Sequence, residues 1–495
     1  MKQRHSSSEP EADPGSGLSR RLFIGAGAAL AVGSTLGLSA PAFAESAGRG
    51  LLSATPTGLA PFGPIPLAAS GVNGSYGRAV RLAVGQPAGG PQTILSTYQG
   101  GTLFRSDDNG HTWAKLGPLP VSGFVLQPFL YELPTAFAGF AAGTILFSCN
   151  QIASTSTKIQ LYASTDKGVT WQFLSTVATG GKASTTNGAT PVWEPFLLLH
   201  DGKLIAYYSD QRDPDFGQKL SHQTSTDLVT WGPVVNDVTG NTYAERPGMT
   251  SVAQLPNGQW IMTFEYGQPD DPANPDQNNY TYWVNYRLAS DPESFESSPS
   301  IRIRVPGTPP NSSPIVSWSK SGGANGTIIV TNNDTQDLLI NRDLGDPDKW
   351  LRLSTPMPAG YSRQTIPLDP AASPDEQGLV LVITGAQYGT TAPVQVGIVS
   401  VADTLSLAPA AQGRSLAGSA YVYAQVKNTD TVPADITVST PYGSKTFTGV
   451  APGTSGTAAF NAHAASIPDG TVQVSGTANA KSFAGAAPYA AVGGN

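Results

Sequence analysis

Ser106-Asp107-Asp108-Asn109-Gly110-His111-Thr112-Trp113 returns as Ser164-Thr165-Asp166-Lys167-Gly168-Val169-Thr170-Trp171, and again without its glycine as Ser225-Thr226-Asp227-Leu228-Val229-Thr230-Trp231. In such a unit the Ser and Asp side chains bond turn backbone, the glycine admits a positive φ, and the aromatic pins the hairpin onto a neighbouring layer. Weaker echoes at Ser290-Asp291-Pro292-Glu293-Ser294-Phe295 and Gly345-Asp346-Pro347-Asp348-Lys349-Trp350 give starts at 106, 164, 225, 290 and 345, spaced by 58, 61, 65 and 55 residues. A period near 60 is too long for a WD40 blade and suits a four-stranded blade with long loops.

These units resemble Asp-boxes. Between them lie short runs rich in branched and aromatic residues, among them Thr144-Ile145-Leu146-Phe147, Pro195-Phe196-Leu197-Leu198-Leu199, Lys203-Leu204-Ile205-Ala206-Tyr207-Tyr208 and Trp260-Ile261-Met262-Thr263-Phe264. Asp201-Gly202 and Asn257-Gly258 supply tight hairpin turns. The pattern predicts an all-β chain: a six-bladed β-propeller over 60–405, with blades near 75–115, 125–172, 190–232, 246–297, 310–352 and 360–402, followed by a small C-terminal β-sandwich over 415–485. In Tyr421-Val422-Tyr423-Ala424-Gln425-Val426, alternation puts Val422, Ala424 and Val426 on one face. Residues 409–419 read as a small, polar connection, and 45–60 and 483–495 as disordered ends. The sandwich reads equally as a carbohydrate-binding module and as a spacer or cap.

Composition bounds the chemistry. The 495 residues carry 28 Lys and Arg against 35 Asp and Glu, a net charge of −7, which disfavours nucleic acid or an anionic membrane as partner. Charged residues are only 13 %, with 55 Gly and 41 Pro, as in a secreted all-β protein. Cys149 is the single cysteine, so no intramolecular disulfide forms, and five histidines leave little for metal clusters; no cofactor and no metal are expected. At the N-terminus, Arg20-Arg21 precede an Ala/Gly-rich apolar run ending at Ala42-Phe43-Ala44, which reads as a twin-arginine export signal over 1–44. The expected mature protein is secreted, free of the membrane and monomeric.

Two acids interrupt apolar strands: Glu194 in Val192-Trp193-Glu194-Pro195-Phe196 and Glu265 in Thr263-Phe264-Glu265-Tyr266-Gly267. A buried carboxylate is costly unless paired, so each is either the partner of an arginine or functional. Their place in consecutive blades at equivalent depth would put them across one cleft. With Tyr207-Tyr208-Ser209-Asp210-Gln211-Arg212, Gln218-Lys219-Leu220-Ser221-His222-Gln223 and Arg246-Pro247-Gly248-Met249-Thr250, these motifs form an ordered stretch from Val192 to Gly267 that resembles glycoside hydrolase family 93. That family comprises sialidase-like six-bladed propellers releasing arabinobiose from the non-reducing end of α-1,5-L-arabinan with retention.

The resemblance implies that Glu194 and Glu265 are the catalytic pair and that plant-type arabinan, or a related arabinofuranoside polysaccharide, is the substrate. Trp193, Pro195 and Phe196 suggest an apolar setting that raises the Glu194 pKa for acid/base work, leaving Glu265 as nucleophile. Candidate substrate contacts are Arg78, Trp193, Asp210, Arg212, Arg246, Tyr266 and Tyr361. Arg246 would otherwise orient Glu265, Asp210 and Arg212 would pair with each other, and Arg78 would form a salt bridge. Arg363 accompanies Tyr361, and Tyr243 and Glu245 fall on a rim loop. The inserts Gln268 to Tyr280 and Pro306 to Pro314 would block one end of the cleft and give exo action. Two other readings stay open: a sialidase, although Tyr76-Gly77-Arg78-Ala79 lacks the Arg-Ile-Pro of that class, and a non-catalytic glycan-binding propeller. A serine hydrolase is disfavoured because no G-x-S-x-G motif occurs.

Overall fold

The computed structural model describes residues 61–493 apart from 69–70, 87–90, 273–278, 323–324, 369–377, 403–404, 431 and 479–480. The export signal expected over 1–44 and the end expected over 45–60 lie outside the described residues. The architecture is all-β, with no α-helix among the described residues and one 3-10 turn at Phe295–Ser297.

Six four-stranded antiparallel sheets follow one another along the chain. The first holds β2 (Arg78–Arg81), β3 (Ile94–Thr97), β4 (Thr102–Ser106) and β5 (Ala114–Pro118); the second, β6 (Phe124–Glu132), β7 (Ile145–Ile152), β8 (Thr157–Ser164) and β9 (Gln172–Gly180). The third holds β10 (Val192–His200), β11 (Lys203–Asp210), β12 (Lys219–Ser225) and β13 (Val235–Val238); the fourth, β14 (Arg246–Gln254), β15 (Trp260–Pro269), β16 (Tyr280–Ala289) and β17 (Ile301–Arg302). The fifth holds β18 (Val316–Ser319), β19 (Thr327–Val330), β20 (Leu338–Asn341) and β21 (Leu351–Leu353). In the sixth, β22 (Gln364–Pro367), β23 (Leu379–Thr384) and β24 (Gln395–Ser400) are completed by β1 (Phe62–Pro66), which pairs with β24. The sequence reading drew this last unit from one continuous stretch; its fourth strand instead comes from the other end of the chain. First strands touch in the order β2, β6, β10, β14, β18, β22 and back to β2. Apolar clusters fill the spaces between successive sheets, for example Ile329 and Ile340 against Val380 and Val382, then Leu379 and Leu381 against Ala79 and Ile94. Each such side chain contributes roughly 1.5–3 kcal/mol on full burial.

The repeated turns join third to fourth strands. In the first, the Ser106 hydroxyl donates to Asp108 (2.7 Å) and accepts from the Gly110 N–H (2.8 Å), and the Trp113 indole donates to the Gly110 carbonyl (2.9 Å). In the third, Leu228 replaces the glycine at φ 64° and still donates its N–H to Ser225 Oγ. Its side chain is fully buried between the second and third sheets, which offsets the strained backbone. The fifth turn begins at Asn341, four residues before the echo seen in sequence: Asn341 Oδ1 takes the place of the serine hydroxyl and accepts from the Gly345 N–H at 2.9 Å.

Beyond them, β25 (Leu407–Leu416), β26 (Ser419–Asn428) and β29 (Ser455–Asn461) form one sheet. A second contains β28 (Gly443–Val450), β27 (Ala434–Thr440), β30 (Gly470–Ala478) and β31 (Lys481–Tyr489). Val422, Ala424 and Val426 do share a buried face, packed with Ile436, Val438, Val472 and Val474. Two expectations fail here. Residues 409–416 are strand, not connection, and 483–489 belong to β31, paired with β30, with Ala487 and Tyr489 buried. Runs of Ala, Gly and Ser have too little apolar contrast for alternation to register, and long-range pairing orders them.

Candidate active site

Where the first strands converge, each sheet turns left-handed at residues that are not glycine: Tyr76 (φ 53°), Gln127 (52°), Glu194 (63°), Met249 (63°), the pair Ser312 (59°) and Ser313 (49°), and Ser362 (57°). In β6, β10 and β14 the turn sits in a break of register, between Leu126 and Phe129, Trp193 and Phe196, and Gly248 and Ser251. Such bulges re-aim side chains, and each strained residue costs about 1–3 kcal/mol. Bonds from sheet to sheet hold several of them. The Glu194 N–H donates to Gln127 Oε1 (3.0 Å), the Met249 N–H to Glu194 Oε2 (2.8 Å), and the Ser362 N–H to Ser313 Oγ (2.9 Å). The Arg78 guanidinium donates to the Ser362 carbonyl (2.7 Å) and hydroxyl (2.6 Å).

This framework brings Glu194 and Glu265 together. Glu194 Oε2 also accepts from the Ser209 hydroxyl at 2.7 Å, and Oε1 from Gln127 Nε2 at 3.3 Å. Glu265, on β15 and 1 % exposed, accepts from the Ser312 hydroxyl (2.7 Å) and the Ser313 N–H (3.0 Å). Gly248 lies between them: a β-carbon there would be 3.6 Å from Glu194 Oε2 and 3.6 Å from Glu265 Oε1. The two oxygens are therefore no farther apart than twice that distance, within the span over which two carboxyl groups act on one glycosidic bond. The surroundings of the Glu194 carboxylate differ from the expectation. Its carboxylate is bonded by Gln127, Ser209 and the Met249 N–H, whereas the Trp193 indole donates to Gln211 Oε1 (2.8 Å) and Phe196 packs on Phe129.

Glu194 forms part of the wall of a cavity of about 680 Å³ lined from the sixth, first, second and third sheets. Trp193 and Tyr361, expected to contact substrate, are among the residues that line it. Tyr361 packs edge-on to Tyr76 (5.2 Å between centroids) and against Tyr388 (5.0 Å). Burial, then the Glu194 charge, pushes the Tyr76 phenol well above its ordinary pKa, so it remains a neutral donor. Arg78 lies at the ring of first strands; burial lowers its pKa to about 10, opposed by Tyr76 and Glu194.

Other expected contacts are occupied elsewhere. Asp210 and Arg212 form the closed pair that was the alternative reading, at 2.7 Å, with Arg212 also donating to the Tyr208 hydroxyl. Arg246, 1 % exposed, donates to Asn187, to Gln211 Oε1 (2.9 Å), to Gln218 Oε1 (2.7 Å) and to the Gly217 carbonyl, and of these Gln218 borders the cavity. Tyr266 packs against Phe264 in the core of its sheet, and its hydroxyl donates to Glu245 Oε2 at 2.8 Å. Against the effect of burial, donors from Gln268, Tyr266, Asn241 and Thr242 hold the Glu245 pKa below the usual range. Tyr243 is exposed, and Arg363, fully buried, donates to the carbonyls of Thr335, Gln336, Asp337 and Pro358. The Pro306 to Pro314 insert ends by holding Glu265 through Ser312 and Ser313; it does not line the cavity.

Sequence reasoning missed Gln127, Ser209, Ser312 and Ser313, and gave Gly248 no role. One signal was present: Gln127-Pro128, Glu194-Pro195 and Ser313-Pro314 set a polar residue before proline at the head of three first strands.

No family model matches the chain. A curated Paenibacillus xyloglucanase is 24 % identical over 241 residues, and the match spans 44 % of this chain and only 22 % of that protein. Among solved structures, an α-L-arabinanase of Penicillium chrysogenum complexed with arabinobiose is 37 % identical, with a TM-score of 0.62 over 69 % of this chain and 99 % of its own. The chain belongs to glycoside hydrolase family 93. A family 93 α-L-arabinofuranosidase of Fusarium graminearum, also with arabinobiose, is 37 % identical at a TM-score of 0.60, over 66 % of this chain and 93 % of its own. The protein is thus a glycoside hydrolase of β-propeller-like, all-β fold.

Proposed function

We propose that this hydrolase acts on arabinan, releasing arabinobiose from the non-reducing end of α-1,5-linked chains with retention of configuration. The observation that carries the reading is the pair of carboxylates on either side of Gly248, one of them in the wall of the cavity. Its substrate class is supported by two relatives crystallised with arabinobiose. Glu194, half-buried at the cavity, is the acid/base: it gives its proton to the leaving oxygen and, with access to water, later takes one from the attacking water. Glu265, almost sealed from solvent, is the nucleophile that forms and releases the glycosyl-enzyme. We read exo action from the inner part of the cavity, which the nearly sealed rings of Tyr76 and Tyr361 line.

On this reading the six sheets are the blades of a propeller closed by β1, and the two C-terminal sheets form an accessory β-sandwich. The protein is exported by its N-terminal signal and works as a monomer. The test is to give the purified chain linear arabinan, branched arabinan and a sialoside, and to follow the anomer first released by proton NMR. Disaccharide of retained configuration from linear arabinan supports the proposal. A ladder of oligomers removes exo action, the inverted anomer removes the glycosyl-enzyme, and no cleavage of arabinan removes the substrate assignment.

A further inference from the structure

Phe124 opens β6 with its ring 48 % exposed, and it lines the cavity. Strand alternation explains the direction: Val125 enters the core between the first and second sheets, while Leu126, on the Phe124 face, packs against Tyr76, Met249 and Tyr361. The wall therefore runs from that aromatic cluster, through Leu126, out to an exposed phenyl ring. Tyr388, 36 % exposed, borders the same cavity from the sixth sheet, beside Tyr361. The rest of the lining mixes the polar side chains of Gln99, Ser154, Ser184 and Thr390 with the apolar ones of Ile152, Ala153 and Ala183. One exposed ring alone means little, but exposed rings continuous with a cavity wall mark a binding surface, where a flat ring matches the C–H face of a sugar and interspersed polar groups serve its hydroxyls.

We infer that Phe124 is a sugar-stacking platform at the cavity mouth that binds the polysaccharide on the leaving-group side of the scissile bond. The inference rests on the exo reading above: the chain end enters the cavity, so the units at the mouth are those still attached to the polymer. The carboxylates are bonded by Gln127, Ser209 and the Met249 N–H and by Ser312 and Ser313, so Phe124 acts on binding and not on the chemical step. Its loss weakens capture of the polymer without weakening the hold on a disaccharide product, which lies inside the cavity and not at its mouth.

The experiment compares wild type, Phe124→Ala and Phe124→Trp on linear α-1,5-arabinan, with arabinobiose as competitive inhibitor and thermal unfolding as a check on folding. For Phe124→Ala the expected result is a KM for arabinan raised about tenfold, as for loss of one well-packed anchor. Its kcat and the arabinobiose inhibition constant stay within twofold of wild type, and Phe124→Trp restores the KM. An inhibition constant that rises in step with KM would put the residue at the chain end and overturn the inference, as would an unchanged KM. Wild type that leaves arabinan uncut removes the exo reading and the inference with it, whereas an active wild type with an indifferent Phe124→Ala removes the inference alone.

Discussion

Replacing Gly248 by alanine tests the site at its narrowest point. Gly248 is not in the left-handed region, so the backbone accepts alanine without strain and the effect is one of space. The new methyl would stand 3.6 Å from an oxygen of each glutamate and 2.7 Å from Gln218 Nε2, which is too close. The Gln218 amide must move, although it is held by Arg246 (2.7 Å) and by the Pro247 carbonyl (2.9 Å). Losing one or two such bonds costs about 1–3 kcal/mol, which lowers Tm by a few degrees. Activity suffers more, because a displacement of about 1 Å in a reacting geometry costs roughly a hundredfold. Initial rates on linear arabinan, beside thermal unfolding, should show kcat down about a hundredfold with Tm only slightly reduced. A kcat within threefold of wild type would refute the reasoning, since the space between the two carboxylates would then not be where the bond is broken.

Glu265→Ala should abolish turnover and recover part of it with azide, whereas Glu194→Ala should keep faster turnover of substrates with good leaving groups; the reverse pattern exchanges the two roles. Gln127→Ala removes the bonds to the Glu194 backbone and carboxylate and to the Tyr76 hydroxyl, and should lower kcat about tenfold to a hundredfold with little change in KM. A drop confined to KM would show that Gln127 binds sugar instead. Acid stability should follow the turn carboxylates. The N–H groups of Thr230 and Val229 depress the Asp227 pKa to about 2, and Asp108 and Asp166 shift the same way. A depressed folded pKa contributes stability that is present above the unfolded value of about 3.9 and is lost as pH falls through the folded one. Tm should therefore hold above about pH 5 and fall between about pH 4 and 2. Asp227→Asn should soften that fall, and an identical slope in the variant would exclude this origin.

The repeated turns were legible because their chemistry is local: serine, aspartate, a left-handed residue and an aromatic within eight positions bond one another whatever surrounds them. The strands between them were legible for the same reason, since burial of one face writes a period of two. Glu194 and Glu265 stood out as acids in apolar strands, and the family resemblance spoke for their proximity. Everything that depends on a partner far along the chain waited for the tertiary structure. β1 completes the sixth sheet from more than three hundred residues before β24, and no local pattern marks it. Arg246, Asp210 and Arg212 looked like sugar-binding side chains because a charged residue reads alike whether it meets substrate or protein. Only packing supplied the amides and the carboxylate that occupy them. The same holds for Gln127, Ser209, Ser312 and Gly248, ordinary residues that acquire meaning from the carboxylate each faces. Sequence records local preference and the average surroundings of a residue, whereas hydrogen bonding and charge act over a few ångströms of space, and only the folded chain decides which residues share them.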